Sequence, residues 1–283
     1  MNPYNMKIVA DSSADVFELD KIPFAAAPLK IMTDEKEYVD DKDLDVEGMV
    51  NDLLAYSGKS SSACPSPQAW VDAFGDAQYV FCVTITSNLS GSYNSANIAK
   101  NDYESEHPGR KVMVIDSLSA GSELGLIIDK LQELICEGKT FEEICDLIAE
   151  YQKHTGLVFM LESLKNLANN GRVSKIVASA AGVLGIRVVG KASDVGTLEQ
   201  LAKCRGERNA LPTMFKIMKE LGYAGGRLII GHCLNEKAAI KFKEMVQAEF
   251  PECKTELRKL GALCSFYAEK GGLLVGFEKQ GAV

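Results

Sequence analysis

The sequence lacks most of the features that would give it a quick chemical identity. Its eight cysteines, at 64, 82, 136, 145, 204, 233, 253 and 264, form no CxxC pair, and its three histidines form no matching cluster. A zinc site or a disulfide framework is therefore not expected. Several of the cysteines sit in apolar runs such as VFCVT and LIIGHC, and they read as small core residues in a reducing compartment. No apolar run approaches the ~18 residues that a membrane span needs, and MNPYNMKIVADSS has no signal-type apolar region. The expected location is the cytoplasm, with no membrane span, where the Asn88-Leu89-Ser90 sequon stays idle. There is no long basic run, and a formal net charge of −8 argues against a nucleic-acid partner.

Familiar catalytic and nucleotide signatures are missing too. GKSS at 58–61 resembles the end of a P-loop, but the motif's first glycine would fall on Leu53. No GxGxxG follows the first strand, and GxSxG fails at Ser90 because Asn88 stands where its leading glycine should be. No metal or cofactor is expected.

What is present is 283 residues with 46% hydrophobic and 25% charged content, enough for two modest domains or one large one. In the first half, strand-like runs at 6–10, 27–32, 79–86 and 111–117 alternate with helical stretches at 45–57, 66–77, 92–103, 119–138 and 140–154. That alternation predicts a parallel α/β sheet. Ser66 and Pro67 mark one helix start, and Thr140 with Glu143 forms capping-box spacing at another. After a strand at 156–163 the pattern changes, with adjacent runs at 186–193 and 197–206 reading as a hairpin. Helices at 208–222 and 236–250 then alternate with strands at 227–233, 254–260 and 271–279. The expected fold class is α/β: an N-terminal parallel α/β domain, 1–158, and a smaller C-terminal α+β domain with a mixed sheet, 159–283.

Two polar loops stand out. TSNLSGS, 86–92, follows the strand YVFCVTIT, at the edge where open α/β sheets bind ligands. A helix start there offers free N–H groups and partial positive charge. With no lysine or arginine in the loop, a compact single anion such as a carboxylate suits it better than a phosphate cluster. Taken alone, the segment reads first as a helix cap through Ser90 or Asn88 and second as an anion site. The second loop, SSSACPSPQ at 60–68, has the same two readings, and the pair together favours a shared site.

KIVADSSADV, SACPSPQAW, TITSNLSGSYNSA, VIDSLSAG, NNGRVSK, LAKCRGERNAL and GGLLVGF occur in the order expected of the DegV family, which the chain resembles over nearly its whole length. The resemblance implies a fatty-acid-binding protein with the acyl chain in a tunnel between two domains, and a partner fatty acid kinase for kinase-associated members. It implies a palmitate-like long-chain ligand whose carboxylate is held by Ser62, by Ser87 and by the backbone around Asn88. Tyr267 stands where the family has a histidine, so the head group would meet a neutral hydrogen-bond donor. Arg205, and with it Arg172, matches basic positions assigned to partner docking. The family's T-S-Q-P-S reads Ser62, Ala63, Cys64, Pro65, Ser66 here, and its K-P-I-L reads Arg187, Val188, Val189, Gly190. The expected protein is a carrier and not an enzyme. The alternatives are a small serine hydrolase or acyltransferase using Ser87 or Ser90 with His232, and a structural protein whose polar loops are caps.

Overall fold

The computed structural model describes residues 5–174 and 185–282. Residues 175–184, most of the small-residue segment after Arg172, lie outside the described residues.

Strand β1 (Met6–Asp11) pairs in parallel with β2 (Phe24–Ala27), and a small antiparallel sheet follows from β3 (Lys30–Met32), β4 (Glu37–Val39) and β5 (Ser61–Ala63). The parallel sheet is completed by β6 (Tyr79–Thr84) and β7 (Lys111–Asp116), in the order β2-β1-β6-β7. Its strands are apolar on both faces, as a sheet covered on two sides requires. Ile8 and Ala10 of β1 pack with the helices Ser122–Cys136 and Phe141–Tyr151, while the intervening Val9 packs with Pro67–Phe74 and Ser92–Glu106. Ser66 caps its helix and Thr140 closes a capping box with Glu143, as their spacing predicts.

The run 27–32, expected as one strand, is two strands in two sheets. Pro28 has no N–H to give a ladder, and the Leu29 amide is taken by Ser12 Oγ at 3.0 Å, so the chain leaves the parallel sheet there.

The second large sheet holds β8 (Thr155–Leu161), β9 (Ile186–Ala192), β10 (Leu198–Arg205), β11 (Tyr223–His232), β12 (Thr255–Lys259) and β13 (Leu273–Lys279). Its order is β10-β9-β8-β13-β11-β12, antiparallel except for β11 beside β12, and β9 with β10 forms the expected hairpin. One face packs on the helices Glu207–Glu220 and Glu236–Glu249. The other face packs on the short helix Ala262–Ala268 and the small sheet. Residue 158, the expected domain boundary, falls inside β8, all of which belongs to the six-stranded sheet.

The helix Ala262–Ala268 has no local N-cap side chain. Its first amides reach across the fold instead: Gly261 donates to Asp15 Oδ1 at 2.7 Å, Ala262 to Asp40 Oδ1 at 2.7 Å and Leu263 to Asp40 Oδ2 at 3.0 Å. These contacts bring a wall from the C-terminal part of the chain against the N-terminal sheets.

Candidate functional site

Where those layers meet lies a narrow cavity with about 660 Å³ of atom-free space, its open mouth included. Leu157, Phe159 and Leu161 of β8, Leu198 of β10 and Leu274 of β13 form one wall, and Leu263, Cys264 and Ala268 form another. Strand periodicity explains the first wall, because alternate β8 residues face the same way. The polar side chains lining the cavity are those of Ser62, Ser90, Arg172 and Tyr267.

Three of these are in direct contact, and Arg172 reaches the backbone beside the fourth, Ser90. Ser62, on β5, and Tyr267, on the helix Ala262–Ala268, approach to 2.7 Å between Oγ and Oη. The Arg172 guanidinium lies 5.6 Å from the Tyr267 ring centroid, in cation–π range, and its Nε donates to Leu89 O at 3.1 Å. Leu89 precedes Ser90, whose Oγ accepts from the Ser92 amide at 3.3 Å as the helix Ser92–Glu106 begins. Among the described residues no carboxylate lies within 4.0 Å of Arg172. Burial pushes the Tyr267 phenol above its ordinary pKa, against smaller downward effects of Ser62 and the Arg172 charge, so it remains protonated at neutral pH. The group therefore presents two hydroxyls, a phenol and a guanidinium at the edge of an apolar space. That set can donate to a carboxylate, while the apolar walls can take a hydrocarbon chain.

The expected site residues separate in three dimensions. Ser62 and Tyr267 meet as hydroxyl partners. Ser87 and Asn88, expected at the ligand, are exposed and outside the lining. The reason is the tight turn in which the Leu89 and Ser90 amides both donate to Thr86 O; it sets Leu89 and Ser90 in the cavity lining. The Ser87 and Asn88 amides are also engaged, by Asp116 Oδ1 at 3.1 Å and Thr86 Oγ1 at 3.3 Å. Asn88 instead donates from Nδ2 to Val195 O, at 2.6 Å, in the β9–β10 turn. Arg172, expected on the partner surface, lines the cavity. Arg205 is exposed at the end of β10 and away from it.

His232 lines a different cleft, with Asp15, Arg258 and Lys259, and its Nδ1 accepts from the Asn235 amide at 3.4 Å. Burial lowers its pKa. Neither Ser87 nor Ser90 lines that cleft, and among the described residues no hydrogen bond pairs His232 with either serine, so the expected serine dyad is not formed. The cavity's thiol, Cys264, is held well above its usual pKa by burial first and by the charges of Asp15 and Asp40, which leaves it protonated and a poor nucleophile.

Two positioning residues escape a local reading. Asp11, fully buried at the end of β1, accepts from Ser13 N–H, the Ser13 hydroxyl, Ile85 N–H at 2.9 Å and Ser92 Oγ at 2.6 Å. It thereby joins the turn after β1 to the cavity residue Ile85 and to the helix that starts beside Ser90. Asp40 does the same for the helix carrying Tyr267. The DSS triplet after a strand hints at the first; nothing local marks the second.

Comparison with known proteins places the chain in a family. A family model described as "Uncharacterised protein, DegV family" matches residues 5–280. A DegV domain-containing protein of Streptococcus pneumoniae is 44% identical over 276 residues, covering 96% of this chain and 98% of its own. A DegV family protein from Eubacterium eligens, solved loaded with heptadecanoic acid, superposes with a TM-score of 0.95 at 47% identity, covering 97% of this chain and 100% of its own. The fatty acid kinase B3 protein of Streptococcus pneumoniae, solved loaded with linoleic acid, gives a TM-score of 0.95 at 43% identity, covering 97% of this chain and 99% of its own. Matched from end to end by the family model and by relatives above 40% identity, the chain belongs to the DegV family.

Proposed function

We propose that this protein binds a long-chain fatty acid, with the acyl chain among Leu157, Phe159, Leu161 and Leu274 and the carboxylate at Ser62, Ser90, Arg172 and Tyr267. The observation that carries the reading is the meeting of Ser62, Tyr267 and Arg172, with Ser90 in the same lining, at an otherwise apolar cavity. Fatty acids bound in the two similar structures support the same ligand class. The ligand occupies a tunnel between two units, divided ahead of β8 instead of at 158.

The energetics divide the work. Burying an acyl chain of ~14 methylenes contributes roughly 11 kcal/mol gross at about 0.8 kcal/mol per methylene, before ordering costs. A hydrogen bond to a charged acceptor adds roughly 1.5–3 kcal/mol. The tail supplies affinity and the polar group supplies orientation. The protein acts as a carrier, with no reaction of its own.

The likeness to a fatty acid kinase B3 protein supports presentation of the bound lipid to a partner kinase. The exposed Arg205 is our candidate for that docking surface. Among the described residues no helix is long and apolar enough to cross a membrane, and Cys82, Cys204, Cys233, Cys253 and Cys264 are buried free thiols. Both fit residence in the cytoplasm. Displacement of a fluorescent fatty acid by palmitate and oleate tests the binding: saturable competition at one site per chain is expected, and no competition by either acid refutes it.

A further inference from the structure

Asp40 is a fully buried carboxylate on the loop after β4, and both its oxygens accept backbone amides of one short helix. Ala262 donates at 2.7 Å and Leu263 at 3.0 Å. A helix of seven residues has little internal cooperativity to fix its direction, so its cap largely decides where its side chains point. Leu263, Cys264, Tyr267 and Ala268 of that helix all line the acyl cavity.

The same aspartate also holds a second part of the lining. Its own amide donates to Leu29 O at 2.9 Å, and Leu29 lines the cavity one residue before β3. Strand β3 pairs with β5 in a register that sets Ile31 beside Ser62. One residue is thus bonded at its side chain to the element bearing Tyr267 and at its backbone to the sheet bearing Ser62. Capping alone does not require this chemistry. A neutral serine or asparagine caps well, whereas a buried carboxylate carries a desolvation cost that only dedicated donors offset. A carboxylate does offer two acceptors in a fixed plane, enough to define the helix direction and not merely to close one N–H.

We infer that Asp40 is a positioning residue for head-group recognition, fixing Tyr267 Oη against Ser62 Oγ so that both are presented to the lipid carboxylate. This rests on the fatty-acid reading above. It adds a residue that touches no ligand and lies in neither polar loop.

The test compares palmitate with methyl palmitate, which keeps the chain and removes the charge, in the full-length wild type and in Asp40→Asn, Tyr267→Phe and the double variant. A charge-assisted head-group contact corresponds to a preference for palmitate of about tenfold or more in the wild type. Asp40→Asn is expected to shrink that preference about as far as Tyr267→Phe does, with methyl palmitate binding unchanged, and the double variant to lose no more than the worse single one. A purely structural role would lower the melting temperature but leave the ratio intact, or weaken both ligands equally; either result overturns the inference. Asp40→Ser, which keeps one acceptor at the cap, carries the same comparison if the asparagine variant folds poorly. Failure of the wild type to bind either lipid counts against the fatty-acid reading itself, whereas an unchanged ratio in a variant that binds palmitate counts against Asp40 alone.

Discussion

Ser62 Oγ and Tyr267 Oη lie 2.7 Å apart although 205 residues separate them in the chain. The pair joins the small N-terminal sheet to the helix Ala262–Ala268, and it sits within ring contact of Arg172. Because either oxygen can donate, the pair can open towards a carboxylate with each hydroxyl contributing one hydrogen bond.

Ser62→Ala and Tyr267→Phe are each expected to weaken palmitate binding by roughly 1.5–3 kcal/mol, about ten- to 150-fold, because each removes one donor to a charged acceptor. The double variant should lose less than the sum, since the two hydroxyls act together. Isothermal titration of the four proteins checks this, and full additivity would argue that the hydroxyls act separately.

Leu161→Trp places a larger side chain in the cavity wall, at a position only 2% exposed. Palmitate binding should fall by more than tenfold while stability drops by about 1–3 kcal/mol, the usual cost of overpacking. Titration alongside denaturant unfolding separates the two effects.

Part of this arrangement is legible in the sequence because it is local. The continuous apolar run Ile8–Ala10 marks a strand covered on both faces, and the capping signals at Ser66 and Thr140 act within four residues. The site's other half is not local. Ser61–Ala63 carries no β pattern and becomes a strand only because Ile31 pairs with Ser62. The helix Ala262–Ala268 takes its cap from Asp40, 222 residues away. Ser87 and Ser90 are equally polar in the sequence, and only the turn at Thr86 decides which of them lines the cavity.

The buried carboxylates give stability an unusual pH dependence. Burial, first of all, raises Asp15 to about 8 and Asp40 to about 6; the Asp40 charge also raises Asp15, the Asp11 charge also raises Asp40, and Arg258 pulls Asp15 down. Because these folded values exceed the unfolded value near 4, the folded state binds more protons across the interval. Their contribution therefore grows as pH falls from about 8 towards 4, and is lost as pH rises through the raised values. Denaturant midpoints at pH 8 and pH 5 should show a larger acid-side gain for wild type than for Asp40→Asn. Equal gains would remove Asp40 from the balance.

Gly196, at φ +74° in the β9–β10 turn, packs so closely that a methyl group would land on Thr86 Oγ1 and within 2.9 Å of Leu118 Cα. Gly196→Ala is expected to cost about 1–3 kcal/mol and to speed hydrogen exchange at residues 193–197. Unchanged exchange would mean that the turn does not depend on this contact.

The most direct measurement is extraction of the purified protein into organic solvent followed by mass spectrometry, with a parallel incubation in excess palmitate and oleate. The account predicts long-chain fatty acid at close to one molecule per chain, greatly reduced when Tyr267→Phe and Leu161→Trp are combined. No fatty acid in the extract, and none taken up from the incubation, would contradict it.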